Sequence, residues 1–251
     1  MKMKIEDVAQ TVRKSGYIVA LTGAGISTNA GIPDFRGAQG IYTTRKYSPN
    51  VFDIVYFLKD PSIFYDYARD FLEFSEKLEP TFTHRYLAEL EKSGRLKCVI
   101  TQNIDGLHQR AGSRNVIEVH GGYTKSSCLK CGEQLGYEQL KKRVMKEKIP
   151  KCHKCGGLIK PDIVFFGEAV KGIREAAEIA SKSDLLLVIG TTLTVYPAAA
   201  IPDVAKRKII IVNKGYVASD RLNAIRFDCD IDEFFRNISK NADSLTLRDS
   251  V

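Results

Sequence analysis

The chain has 251 residues, 44% of them hydrophobic, and a formal net charge of +8 at pH 7. This length suits one large domain or one domain with a smaller insert, and the composition is that of an ordinary globular protein. No apolar run approaches the roughly 20 residues of a membrane span, and the N-terminus lacks the apolar stretch and cleavage site of a signal peptide. We therefore expect a cytoplasmic protein without a membrane partner.

Helix-like and strand-like segments alternate along the chain. The apolar spacing of residues 5–12 predicts an amphipathic N-terminal helix, and similar spacing recurs at 64–72, 87–90 and 173–180. Between the helices lie short runs that are apolar nearly throughout, as in parallel strands covered on both faces. These predicted strands are residues 17–21, 97–100, 184–190 and 208–212. The alternation predicts an α/β fold with a doubly wound, Rossmann-like parallel sheet.

Small or polar residues follow each predicted strand at its carboxyl end. They lie at 22–25, 101–103, 191–192 and 213–215. In an open parallel sheet these ends meet at the edge where ligands bind. The sequence therefore predicts a ligand site built from four strand ends.

The first of these ends contains Gly23 and Gly25, before a helix start that we expect at Ser27 or Thr28. Glycines let a phosphate approach the backbone, and a helix N-terminus offers free N–H groups to an anion. A dinucleotide-binding dehydrogenase would have a third glycine three residues after the second, and an acidic residue after the next strand. Neither feature is found, and residues 37–50 have the composition of a loop. We expect a nucleotide site without the dehydrogenase arrangement.

Four of the six cysteines form two pairs, each with two intervening residues, and 20 residues separate the pairs. In a reducing compartment this spacing indicates one tetrahedral zinc ion. Four protein ligands leave no open coordination position, so we expect a structural metal. Its ligands would be Cys128, Cys131, Cys152 and Cys155.

The cysteines lie in a segment that interrupts the alternation of strands and helices. We expect residues 121–160 to form a zinc-binding module inserted into a larger Rossmann-like domain of residues 1–120 and 161–240, with a polar tail at 241–251. The module contains ten basic and three acidic residues and so carries +7 of the total charge. Four zinc-bound thiolates would lower its charge to about +5. That charge suits contact with DNA-associated or acidic proteins, and it leaves open a zinc-ribbon nucleic-acid binder as a non-enzymatic alternative.

His120 is the strongest candidate for a general base among the four histidines. It ends a strand-like run at the junction between the larger domain and the insert, and an imidazole has the pKa for proton transfer near neutral pH. His84 and His108 are expected to be structural. Asn103 and Asp105 follow a strand end, where an amide and a carboxylate can bind an amide group, position a water or form an Asx turn.

Several motifs together resemble those of the sirtuin family of NAD-dependent protein deacylases. They follow the family's order over nearly the whole chain, from about residue 3 to residue 240, and the set is far more specific than any one motif. The matching stretches are GAGISTNAGIPDFRG at 23–37, TQNIDGLHQRAG at 101–112, EVHG at 118–121, the four cysteines, KPDIVFFGE at 160–168, GTTLTVYPAA at 190–199 and IVNKG at 211–215. Asn29 and Ala30 depart from the family's usual pair, and we expect only loop packing to differ.

The resemblance implies that NAD is consumed as a co-substrate while an acyl group passes from lysine to ADP-ribose. The acyl oxygen would attack C1′ of the ribose as nicotinamide leaves, and His120 would act as general base on the ribose hydroxyls. Asn103 and Asp105 would complete the catalytic set. The products would be free lysine, nicotinamide and 2′-O-acyl-ADP-ribose.

The resemblance also implies binding residues. Cofactor contacts fall on the glycine turn and its loop (Gly23, Ala24, Gly25, Thr28, Asp34, Phe35, Arg36), on the second strand end (Gln102, Asn103, Ile104, Asp105) with His120, and on the adenosine side (Gly190, Thr191, Thr192, Asn213, Lys214, Asp230, Ile231). The substrate groove would be lined by Val164, Phe165, Phe166, Gly167 and Glu168, where the peptide backbone pairs as an added strand. The implied cofactors are NAD and one structural Zn²⁺ ion, and the implied partner is an acylated-lysine protein or peptide.

The acyl group that is removed is expected to be uncharged, and acetyl is the preferred candidate. Family members that remove succinyl or malonyl groups share a Tyr-x-x-Arg pair on a helix near the acyl pocket. Here Ala68 stands three residues after Tyr65, and Arg69 lies about 100° further round the helix. The expected pocket is apolar, which leaves propionyl or longer chains open. Transfer of ADP-ribose itself from the same NAD pocket is the second enzymatic hypothesis.

Overall fold

The computed structural model describes residues 3–32 and 47–246, with side chains up to residue 241. The central strands are β1 (Ile18–Thr22), β2 (Leu96–Thr101), β3 (Val116–Glu118), β7 (Leu185–Ile189), β8 (Lys208–Val212) and β9 (Ala224–Phe227). They form one parallel sheet in the order β3-β2-β1-β7-β8-β9. The strand order reverses between β1 and β7, where Ala20 lies opposite Leu187. Ligands bind at such a switch point in doubly wound sheets.

Helices cover both faces of this sheet, which explains why its strands are apolar without alternation. One face carries α1 (Ile5–Lys14), α4 (Phe82–Lys92) and α8 (Ile231–Thr246), and the other carries α7 (Ile173–Ser181) and a 3₁₀ helix (Ala198–Val204). Ile18 and Ala20 pack on the first face, and Val19 and Leu21 on the second. The predicted doubly wound α/β sheet is confirmed. The described helices are all too short or too polar to cross a lipid bilayer.

A smaller antiparallel sheet is formed by the region of the cysteines. It consists of β4 (Lys125–Cys128), β5 (Gln134–Gly136) and β6 (Ile159–Pro161) in the order β5-β4-β6. The helix α6 (Tyr137–Lys146) directly follows β5 in the chain. The helices α2 (Ile54–Lys59) and α3 (Ser62–Ser75) pack against it, and α5 (Leu107–Arg110) follows β2. Phe57, Phe64, Leu140 and Val144 share one buried cluster. The small sheet therefore rests on α2 and α3 through a common core.

Arg69 of α3 donates hydrogen bonds to the C-terminal end of α6. Its Nη1 atom lies 3.3 Å from the carbonyl oxygen of Val144, 3.2 Å from that of Glu147 and 3.3 Å from that of Lys148. The last carbonyls of a helix have no partner within the helix, and a cation beside them is favourable. The Nη2 atom of Arg69 pairs with the Asp66 carboxylate. The guanidinium therefore serves the contact between α3 and α6.

The helix that we expect to start at Ser27 or Thr28 begins earlier. A 3₁₀ helix runs over Ala24–Ala30, with Gly23 as its N-cap. The Ile26 N–H donates to the Gly23 carbonyl at 3.1 Å, so the first turn starts directly after β1. The expected start was wrong because the glycines allow the chain to turn at once, without a linker between strand and helix.

Candidate active site

Two glycine-containing turns meet at the switch point between β1 and β7. The Gly25 N–H donates to the Gly190 carbonyl at 2.9 Å, and the Gly23 N–H donates to the Ile189 carbonyl at 3.0 Å. A Cβ atom on Gly190, whose φ is +64°, would lie 2.4 Å from the backbone nitrogen of Ile26. Glycine is therefore required for so close an approach of the two turns. The structure thus brings Gly23, Gly25 and Gly190 together at the carboxyl edge of the sheet, where the sequence predicts them.

A buried polar cluster follows β2 and faces the first of these turns. The Asn103 side-chain amide donates to the Gly23 carbonyl at 3.3 Å and to Ser27 Oγ at 3.2 Å. Ser27 Oγ donates to Asp105 Oδ2 at 2.7 Å, and the Leu107 N–H donates to Oδ1 at 2.9 Å in the Asx turn that the sequence leaves open. Burial raises the pKa of Asp105, and these hydrogen bonds lower it by less. The amide and the carboxyl are therefore held in fixed orientations.

His120 follows β3 and contacts the same strand end. Its Nδ1 atom lies 2.9 Å from the backbone carbonyl oxygen of Gln102. A carbonyl only accepts, which assigns the proton to Nδ1 and leaves Nε2 as the basic atom. Burial lowers the pKa of His120, and the bond to Gln102 raises it by less. The Gln102 side-chain amide donates to Thr191 Oγ1 at 3.1 Å, so the ends of β2, β3 and β7 are joined.

The segment after β6 runs beside His120. The Val164 N–H donates to the His120 carbonyl at 2.8 Å, and the Phe166 N–H donates to the Phe52 carbonyl at 2.7 Å. Within the described part of the chain, the Val164 carbonyl and the Gly167 N–H have no hydrogen-bond partner. Free backbone groups of this kind are what an added peptide strand pairs with.

The side chains of this segment point in different directions. Phe166 is 52% exposed, whereas Phe165 is 1% exposed. The Phe165 ring packs edge-on or tilted against Phe52, Phe57 and Phe64. Phe165, although expected to line the groove, therefore places its side chain in the core.

The residues expected on the adenosine side lie at the ends of β7 and β8 and at the start of α8. Thr192 is half-buried, and Asn213 is buried with its side-chain amide donating to the Lys214 carbonyl at 3.0 Å. Asp230 accepts a hydrogen bond at 2.9 Å from a backbone N–H in the first turn of α8. Ile231 is 7% exposed and packs in the core, so its side chain does not face this edge.

The remaining expected cofactor contacts belong to the first turn and its loop. The Thr28 hydroxyl donates to the Gly25 carbonyl at 3.0 Å. Ala24 and Ile104 are half-buried, and Ile104 packs against the buried cluster that α3 and the small sheet share. The expected contacts that lie outside the described residues are Asp34, Phe35 and Arg36.

The four cysteines come together as their spacing predicts. The sulfur atoms of Cys128 and Cys155 are 3.5 Å apart, those of Cys131 and Cys152 are 3.7 Å apart, and all four lie within 4.8 Å of one another. Zinc–sulfur bonds of about 2.3 Å in a tetrahedron require sulfurs roughly 3.8 Å apart. The cluster therefore fits a structural zinc ion whose four positions are all filled by the protein.

His84 and His108 lie in the core beside the polar cluster. The Thr81 N–H donates to His84 Nδ1 at 3.3 Å, and His108 Nε2 is 2.9 Å from Thr22 Oγ1. Burial lowers the pKa of His84 to about 3 and holds that of His108 well below its ordinary value. Both rings are therefore neutral packing groups that connect α4 and α5 to the end of β1.

Sequence reasoning missed two polar residues of this region. Ser27 links the polar cluster through its hydroxyl, whereas the sequence singles it out only as an expected helix start. Lys160 is 6% exposed, with Nζ 2.8 Å from Glu168 Oε2 and 2.6 Å from the Ile163 carbonyl oxygen. A lysine in a basic segment carries no sign that it is buried.

Comparisons with known proteins agree with this geometry. A family model described as Sir2 family matches residues 23–197. The NAD-dependent protein deacetylase of Thermotoga maritima is 42% identical over 241 residues, which cover 94% of this chain and 97% of the relative. A solved structure described as Sir2 with a p53 peptide and NAD⁺ has a TM-score of 0.87 and 39% identity, and covers 96% of this chain and 100% of its own. Another, of Sir2Tm bound to a propionylated peptide, has a TM-score of 0.86 and 38% identity over 96% and 99% of the two chains. The expected family is confirmed, and the chain belongs to the sirtuin, or Sir2, family.

Proposed function

We propose that the protein is an NAD-dependent protein lysine deacetylase. It transfers an acetyl group from a lysine side chain to the ADP-ribose of NAD and consumes one water, and the products are free lysine, nicotinamide and 2′-O-acetyl-ADP-ribose. The observation that carries the proposal is His120, whose Nδ1 contacts the end of β2 and whose backbone carbonyl accepts the Val164 N–H of the segment with the open backbone groups. The Thermotoga maritima relative bears the name of this activity, and one similar structure contains NAD⁺ with a peptide.

NAD is proposed to bind along the carboxyl edge of the central sheet. The tight turn before the 3₁₀ helix suits the pyrophosphate, because glycines let an anion approach the backbone closely. The proposed contacts are Gly23, Ala24, Gly25 and Thr28 in this turn, Asp34, Phe35 and Arg36 in the loop that follows it, Gln102 and Asn103 at the ribose, and Gly190, Thr191, Thr192, Asn213, Lys214, Asp230 and Ile231 on the adenosine side. The core position of Ile231 limits its contact to the backbone.

Asp105 and Ile104 are proposed to hold the nicotinamide carboxamide. The Asp105 carboxylate accepts one bond at each oxygen from Ser27 and Leu107, and each oxygen has a further lone pair for an amide N–H. Ile104, the preceding residue, is half-buried and packs against the buried cluster that α3 and the small sheet share. A rigid acceptor here orients the ring that leaves.

His120 is proposed to take a proton from a ribose hydroxyl at Nε2. Its pKa is lowered by burial, so the ring is neutral at pH 7 and able to accept that proton. The Nδ1–H bond to the Gln102 carbonyl fixes both the tautomer and the ring orientation. The roles of His120, Asn103 and Asp105 are thus base, ribose contact and carboxamide contact.

The acyl group is proposed to be uncharged. Tyr65 is fully buried and its hydroxyl donates to the Ile159 carbonyl, and Ala68 is also fully buried. Arg69, the only cation in the sequence of α3, is engaged with the end of α6. A carboxylate on the acyl chain would therefore lack a counter-ion on this helix. Acetyl fits best, and a propionylated peptide occupies one similar structure.

The proposal is tested by offering acetyl-lysine, propionyl-lysine and succinyl-lysine versions of one peptide with NAD and identifying the products by mass spectrometry. We expect acetyl loss coupled to formation of acetyl-ADP-ribose, and succinyl removal about 100-fold slower, because an unpaired buried charge is costly. Reactions without NAD serve as the control. ADP-ribose attached to the peptide would instead support the transferase, and equal succinyl removal would contradict the acyl class.

We infer a modular arrangement for the chain. Residues 121–160 act as the zinc-binding module, residues 1–120 and 161–240 as the NAD-binding domain, and 241–251 as a polar tail, of which 241–246 continue α8. A cytoplasmic location would keep the four thiols reduced and able to bind zinc.

The basic surface of the module is proposed to contact DNA-associated or acidic proteins. Lys142 and Lys146 of α6 are exposed. Substituting both by glutamate should weaken binding to a labelled acidic peptide at low salt, whereas the same change at Lys97 and Lys206, which are also exposed, should not. Equal loss in both variants would show that net charge alone is responsible.

A further inference from the structure

Within the described residues, Lys160 is the single buried lysine or arginine. It lies in β6, where the chain passes from the small sheet to the segment that borders His120. An ammonium group removed from water is costly unless other groups compensate its charge and its hydrogen bonds. Its partners therefore indicate what the chain gains by burying it.

The Lys160 ammonium is shared by three acceptors. Nζ lies 2.8 Å from Glu168 Oε2, 2.6 Å from the Ile163 carbonyl oxygen and 3.4 Å from the Pro161 carbonyl oxygen. A lysine has three N–H donors, so each can be used. Nζ also stands 4.1 Å from the centre of the Phe165 ring. The chain from Lys160 to Glu168 thus closes around one positive charge.

These contacts include the backbone that faces the proposed peptide. The Phe165 N–H donates to Glu168 Oε2 at 2.8 Å, and the Glu168 N–H donates to the Phe165 carbonyl at 3.0 Å. Gly167 lies between them with φ of +93°. At the other end, the Val164 N–H donates to the His120 carbonyl at 2.8 Å. One short segment therefore connects the buried charge to the open strand edge and to the base.

We propose that Lys160, paired with Glu168, is a positioning residue for the acylated substrate. It fixes the segment so that the Val164 carbonyl and the Gly167 N–H stand in the geometry that an added strand requires. This inference rests on the proposed deacetylase function. The glycine turn and the end of β2, which are assigned to NAD, belong to other segments, so loss of the pair should affect the peptide rather than the dinucleotide.

The test compares Lys160→Met with Lys171→Met. Lys171 is a matched control because it pairs with Asp162 in the same stretch of chain, but at the surface, with the two side chains 57% and 43% exposed. We expect Lys160→Met to raise the KM for an acetyl-lysine peptide by about 10- to 100-fold, with the KM for NAD changed by less than about twofold. Lys171→Met should change neither constant.

A merely structural lysine would give a different result. A folded Lys160→Met enzyme with an unchanged peptide KM, or with both constants raised equally, would overturn the inference. If Lys160→Met does not fold, Lys160→Gln replaces it, because the amide keeps two donors for the carbonyls but leaves Glu168 without a counter-ion. We then expect the KM for the peptide to rise by a smaller factor while the KM for NAD stays unchanged. An unchanged KM for the peptide would again refute the role.

Direct binding separates this inference from the proposed function. If the wild-type protein turns over no acetylated peptide, the deacetylase proposal fails, but the affinity of a fluorescent acetyl-lysine peptide can still be measured by anisotropy. Weaker binding by Lys160→Met than by Lys171→Met supports positioning by Lys160. Equal affinity of the two variants contradicts it.

Discussion

His120 works as a base only while Nε2 is unprotonated, so the direction of its pKa shift has a measurable result. Burial lowers this pKa below the ordinary value of 6.5. The acid limb of kcat/KM against pH reports the base of the free enzyme. We expect that limb to be centred below pH 6.5, in initial rates measured across the range in which far-UV circular dichroism shows the enzyme folded. A limb centred at or above 6.5 would assign the base elsewhere.

His84 gives a prediction about stability. Its pKa is about 3 when folded, against 6.5 as the ordinary value. The folded pKa is the lower one, so the stability is fully present above pH 6.5 and is lost as pH falls toward 3. From pH 8 to pH 5 we expect a loss of about 2 kcal/mol from this residue in urea unfolding. His84→Gln should flatten that dependence, and an unchanged slope would contradict the assignment.

At the scale of elements, the contact between the turns after β1 and β7 depends on Gly190. A Cβ atom there would lie 2.4 Å from a backbone nitrogen, whereas one on Gly215, which has φ of +81°, would meet no atom within 4 Å. We expect Gly190→Ala to lower the free energy of unfolding by about 3 kcal/mol or more and to weaken NAD binding in calorimetry. Gly215→Ala should lower the free energy of unfolding by only about 1 kcal/mol, because alanine disfavours the left-handed backbone conformation of this position. Equal effects would show that overlap between the turns is unimportant.

The elements that the sequence predicts well are those buried on both faces. β1 and β7 read as continuous apolar runs because helices cover the sheet on each side. β9 was not predicted, because it is an edge strand whose four residues are half-buried or exposed. α8 was also missed, although Ile231, Phe234 and Ile238 recur at helical spacing and pack in the core, so its signal was present in the sequence. Of these two elements, only β9 lacks a pattern from which it could have been predicted.

The same limit applies to the site. His120 and the four cysteines could be chosen from the sequence because few alternatives of their type exist in the right position. Ser27 and Lys160 could not, since their roles depend on where distant segments meet. The Ser27 hydroxyl contacts a carboxylate 78 positions away. Whether a lysine is exposed or buried against Glu168 is decided by the fold of the segment, not by its composition.

At the scale of the molecule, the zinc site and the base are coupled through the chain. β6 pairs with β4, which carries Cys128, and leads directly to Val164, whose N–H holds the His120 carbonyl. We expect the Cys128→Ser protein to bind no zinc and to have no deacetylase activity. Its far-UV circular dichroism should keep the helical signal of the domain that contains the six-stranded sheet. Cys229→Ser, outside the cluster, should keep both. Full activity in a zinc-free Cys128→Ser protein would show that the small sheet does not support the site.

The most direct test of the account is the ratio of nicotinamide released to acetyl groups removed, in the wild-type enzyme and in His120→Ala. One nicotinamide for each deacetylated lysine is predicted for the wild type, with no deacetylation by His120→Ala although it still holds zinc. Release of no nicotinamide by the wild-type protein with any acylated peptide, or deacetylation by His120→Ala at the wild-type rate, would contradict the proposed function.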